Sequence, residues 1–160
     1  MTPLQTLACS LAYMAGADKK VEIEEKAHLT AVFGKLVTHG DVTERGLAEL
    51  VKFAFETATQ MPIDDFLAEV SMKLSPLQKL AIFINSMDMM LVDGTVVEAE
   101  NTLLKKMQDS FGIQREGMMA VREVLLLKND TRMFLRPEHP RNAPDARFPV
   151  RYESSAGKAE

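Results

Sequence analysis

Residues 86–112, SMDMMLVDGTVVEAENTLLKKMQDSFG, repeat residues 11–37, LAYMAGADKKVEIEEKAHLTAVFGKLV, at an offset of 75 positions. Met14, Asp18, Val21, Glu25 and Leu29 recur as Met89, Asp93, Val96, Glu100 and Leu104. Each copy is an apolar-periodic run, then Asp-x-x-Val-x-x-x-Glu, then a second run of the same period. That period is helical. Two helix pairs, each turning on an acidic junction, predict a pseudo-symmetric all-α bundle. The period is too long and the copies too few for a solenoid.

The flanking sequence keeps the helical period. Leu4, Leu7, Ala8, Leu11, Ala12 and Ala15 share one face of a first helix. Residues 1–17 carry no charge and end on Ala-Gly-Ala, as a secretory leader does, but they lack a basic start and are interrupted by Gln5, Thr6 and Ser10. A buried first helix fits them better than a leader. Leu29, Val32, Phe33, Leu36 and Val37 mark a second helix, with Gly40 placed for a left-handed cap. A third runs from about Thr43 with Leu47, Leu50, Val51, Ala54 and Ala58, and stops near Pro62. A short fourth carries Ile63, Phe66, Leu67 and Val70. Ser75-Pro76 reads as an N-cap followed by a first-turn proline. The fifth helix has Leu77, Leu80, Ala81, Ile84, Met87 and Leu91 on one side and Ile82, Phe83, Met89 and Met90 elsewhere. A helix apolar nearly all round belongs at the centre. A sixth uses Leu103, Leu104, Met107 and Phe111 before Gly112, and a seventh spans about 114–128. The expected architecture is a single bundle of about seven helices over 1–128. Residues 129–160 hold Pro137, Pro140, Pro144 and Pro149, which preclude a regular helix. They predict an extended Pro/Arg-rich strap, laid on the bundle or on a second subunit.

Composition narrows the function. A chain of 160 residues with 46% hydrophobic content buries a core without metal or disulfide support. A net charge of −4 argues against a nucleic-acid binder, which needs a basic face. The single cysteine, Cys9, rules out an intramolecular disulfide and a Cys-based zinc site, and fits a reducing cytoplasm. No run reaches the roughly 20 apolar residues of a membrane span.

The acidic turns carry whatever chemistry the sequence offers. They read as helix starts, with Asp capping the turn, Val packing on the core and Glu favoured by the helix dipole. The spacing also matches the second half of a calcium loop, with Asp, Gly, Val and Glu at loop positions 5, 6, 8 and 12. Its first half is missing, since positions 1 and 3 would fall on Met89 and Leu91. A shared site is left open, in which Asp18, Glu22, Glu25, Asp93, Glu98 and Glu100 converge. Oxygen-only ligands suit calcium, magnesium or manganese. His28, four residues after Glu24 and three after Glu25, extends the candidate set to zinc. Cys9 has no cationic neighbour in sequence to activate it. No Ser–His–Asp arrangement, phosphate-cradling glycine loop or HExxH is present, so neither an enzyme nor an organic cofactor is expected.

Ala17-Asp18-Lys19-Lys20-Val21 leading to Glu25, and more closely Val92-Asp93-Gly94-Thr95-Val96 leading to Glu100, resemble the signature of the tellurite-resistance TerB family. The same module is similar to the N-terminal domain of membrane-bound DnaJ-like proteins. The resemblance covers about residues 4–128; Lys19 departs from the usual glycine, and the strap lies outside it. It implies a helical bundle of two related helix pairs in a cytoplasmic bacterial stress-response protein, acting near the inner face of the membrane. It implies metal binding through Asp18, Glu25, Asp93 and Glu100, and no enzymatic activity is established for the family. Two readings follow. One is a divalent-cation-binding or sensing module. The other is an interaction or scaffold module, a homodimer included, in which the acids are caps. For that second reading, Met87, Met89, Met90, Met118 and Met119 offer either an adaptable groove for a protein partner or core filling.

Overall fold

In a computed structural model of the chain, residues 1–17, 23–92 and 96–146 are described, the side chains of 23–27 apart. All regular structure among them is helical. The chain divides into two compact units, Met1–Gln114 and Arg115–Glu160.

The first unit holds α1 (Pro3–Ala15), α2 (Ile23–Thr38), α3 (Glu44–Gln60), α4 (Ile63–Ser71), α5 (Pro76–Leu91) and α6 (Glu98–Phe111). Its two central helices start alike. Thr2-Pro3-Leu4-Gln5 opens α1 and Ser75-Pro76-Leu77-Gln78 opens α5. In each, the cap hydroxyl accepts the N–H of the glutamine, whose side chain accepts the N–H of the cap residue. Proline at the first helical position costs nothing, because its N–H would be unpaired there anyway. Both helices then run into the core. Ala8 to Ala15 are all buried in α1, and Ser86 to Leu91 are all buried in α5. α1 packs against α3, α5 and α6, and α5 against α6. Each fully buried Leu, Met or Phe here contributes about 1.5–3 kcal/mol relative to exposure. Met87, Met89 and Met90 belong to this core rather than to a partner groove. Leu77 departs from the expected face and is 76% exposed.

The outer helices bury one stripe each. α2 contributes Leu29 and Phe33, and its C-terminal turn closes at Gly40 with φ +79°. Thr43 caps α3 by accepting the Gly46 N–H at 3.0 Å. α3 is strongly one-sided, with Ala54 buried and Leu47, Leu50 and Val51 half-buried. α4 buries Phe66, Leu67 and Val70 and packs on α6. α6 buries Leu103, Leu104, Met107 and Phe111 and stops at Gly112, where φ is +66°. That is a left-handed cap, which glycine adopts without steric cost.

The second unit holds α7 (Met118–Asn129), α8 (Arg132–Leu135) and a 3₁₀ turn at Pro140–Asn142. α7 starts four residues later than the apolar period suggests. Gly117 sits at its N-cap with φ +84°, and a left-handed residue cannot continue a helix. α8 ends ahead of Pro137, and among its described residues the strap gains only this short helix and the 3₁₀ turn. Residues 130–142 fold back on the end of α7. Asp130 receives Arg141 at 3.2 Å and His139 at 3.5 Å. Arg141 donates to the Leu126 carbonyl, and Asn142 donates to the carbonyls of Met133 and Arg136. Phe148, Val150 and Tyr152 lie outside the described residues.

Candidate functional site

The repeated acids sit where α1 gives way to α2 and where α5 gives way to α6. The helices after the two turns begin at Ile23 and Glu98. Asp18, Glu22 and Asp93 lie outside the described residues, and so does the side chain of Glu25. The remaining three candidates fall in three settings. Glu100 is buried at 8% exposure in the first turn of α6, where its Oε2 accepts the Val97 N–H at 3.0 Å. Val97 has no side-chain oxygen, so only the glutamate half of a capping box is made. Glu98 is exposed, on the wall of an open groove. His28, on α2, places Nε2 3.8 Å from Asp88 Oδ2 of α5.

Asp88 is the residue that sequence reasoning missed. It is only 7% exposed, one helical turn before the second acidic junction. Its signal was present as a lone acid inside Ser86-Met87-Asp88-Met89-Met90-Leu91, an otherwise apolar stretch. A carboxylate placed there stays buried only where its charge is matched. The repeat hid it, because the corresponding position in the first copy is Tyr13. Among the described residues, no three His, Cys, Asp or Glu side chains stand close enough to hold a metal ion together.

Tyr13 fixes the C-terminal end of α1. Its hydroxyl donates to the Met61 carbonyl at 2.7 Å, at the end of α3. Its ring meets Phe66 of α4, with centroids 5.0 Å apart and planes inclined by 46°. Burial, followed by the nearby Cys9 and Asp65, pushes the phenol up to about 12. The folded state thus favours the neutral phenol. The unfolded phenol ionises near the ordinary tyrosine value of 10.0, so stability falls as pH rises from there towards about 12. Tyr13→Phe is expected to cost about 1 kcal/mol at neutral pH and to lose less further stability than the parent across that alkaline interval. Denaturant unfolding at neutral and alkaline pH checks both. Cys9 is fully buried, and burial raises its thiol pKa, offset in part by the Thr57 hydroxyl.

The first unit is a six-helix domain in which the two acidic motifs fall at the α1–α2 and α5–α6 junctions. The family model described as Tellurite resistance protein TerB matches residues 4–123, and the chain belongs to that family. The comparisons with curated proteins and with solved structures give no match. Among the described residues, no helix is long and apolar enough to cross a membrane.

Proposed function

We propose that the protein is a non-enzymatic binding module of a bacterial stress response, taking a divalent cation at its acidic turns. The observation that carries this reading is the duplication itself: both Asp-x-x-Val-x-x-x-Glu motifs fall at helix junctions, between α1 and α2 and between α5 and α6. Asp93, with Asp18, Glu22 and Glu25 from the first turn, would supply the ligands. Buried Asp88, 3.8 Å from His28, and buried Glu100 add to the acidity of the second junction. The all-oxygen set favours calcium, magnesium or manganese, and His28 admits zinc. The absence of catalysis is supported by the thiol of Cys9, buried and held protonated.

Calorimetric titration with these four ions tests the proposal. The intact chain should bind one of them saturably, with a dissociation constant below about a millimolar, the weak end of functional calcium sites. Asp18→Asn combined with Asp93→Asn should abolish the binding. No binding to either chain, with the variant merely less stable by about 1 kcal/mol per lost cap, would overturn it. That result would favour the second reading, an interaction module with architectural acids. The bond from the Val97 N–H to Glu100 is the observation on its side.

A further inference from the structure

We propose that the open groove between α1, α3, α4 and α6 receives a basic amphipathic helix of a partner protein. The groove encloses about 870 Å³ and is mostly apolar, with Ala12, Tyr13, Phe55, Ala58 and Leu103 among its lining. Phe55 also borders a second hollow of about 310 Å³, beside Leu29, Leu47 and Val51. Leu47, Val51, Phe55 and Ala58 follow one another at helical spacing along one face of α3. A helix lying along this face of α3 would cross both hollows at Phe55, an elongated apolar track rather than a closed pocket. A small ligand buries about 70–90% of its surface in its site, which an open track does not provide. A helix laying an apolar stripe into the track fits its shape.

Charge selects the sign of the partner. Residues 1–114 hold sixteen Asp and Glu against ten Lys and Arg. Two charged side chains line the larger hollow, Glu98 and Lys106. Lys106 is already matched, with Nζ 2.7 Å from Asp64 Oδ2 across α4 and α6. Exposed Glu98 is left to meet a lysine or arginine at one end of the incoming helix. The partner's apolar anchors would recur at i, i+3 or i+4, and i+7, with basic residues flanking them.

The test is fluorescence anisotropy with a labelled Leu/Lys amphipathic helix of about five turns, and with its Leu/Glu counterpart of identical apolar face. EDTA is present throughout, so failure of the cation reading leaves the result unaffected. The Leu/Lys helix should bind saturably and at least about tenfold more tightly than the Leu/Glu helix, a difference of about 1.4 kcal/mol. Thr102→Trp and Thr59→Trp each place a large ring in the groove from an exposed position. Each should weaken binding about tenfold or more with the circular dichroism spectrum unchanged, and Glu98→Lys should remove the preference for the basic helix. Equal binding of the two helices, or binding indifferent to both tryptophans, would overturn the proposal. So would binding of laurate, but of neither helix, lost in Thr102→Trp, which would assign the groove to an acyl chain. A dimer in sedimentation that Thr102→Trp dissolves would assign it to a second copy and equally overturn the proposal.

Discussion

Phe66→Ala is expected to destabilise the first unit by about 3–5 kcal/mol, the range for emptying a fully buried phenylalanine site. Phe66 is 0% exposed and carries the inner face of α4. α4 has only nine residues, too few to be helical on its own, so its stability comes from packing. The ring also supports Tyr13, whose hydroxyl ties α1 to the end of α3. The loss should appear as a lower denaturant midpoint with an unchanged slope. A loss below about 1 kcal/mol would mean that α4 closes the void by itself, against the packing described above.

Ala8→Leu is expected to cost about 1–3 kcal/mol for the opposite reason, overpacking. Ala8 is 1% exposed on a helix that lies against three others. Ala8, Cys9, Ala12 and Ala15 are all small, which lets α3 and α5 approach α1 closely. Added methylenes must push a neighbouring helix outward or twist out of a rotamer minimum. Differential scanning calorimetry reads the cost as a lowered melting temperature. A neutral or stabilising outcome would reveal free space beside α1.

Much of this fold is readable from local chemistry. The centrality of α5 follows from its lack of a polar face, and the stops at Gly40 and Gly112 follow from glycine placement. Four features are less legible. The start of α7 depends on the sign of φ at Gly117, which no periodicity reports. Leu77 carries the right residue type on the wrong face. Asp88 looks like any acid until α2 is packed beside it, since His28 lies sixty positions away in sequence. The groove arises from four helices at once, so no single segment announces it. The acids themselves are legible as a repeated motif, because duplicated spacing is a property of the chain alone. Whether they meet is a property of packing.

The likeness of the two central helices has one irregularity. Counted back from the acidic junctions, buried Leu11–Ala15 correspond to buried Ser86–Met90 at the offset of 75. Counted forward from their caps, Thr2 and Ser75 stand 73 apart, so the second copy has two extra residues between its cap and its acidic motif. Two residues turn a helix by about 200°. This is why Leu4 is half-buried while Leu77, its match after the cap, faces outward. The outer ends of α1 and α5 can therefore absorb an insertion or deletion, because only a capped first turn swings round. At the junction the same change would rotate every buried position of the helix out of register. In this chain the difference in length between the two copies accordingly falls at the ends farthest from the acids.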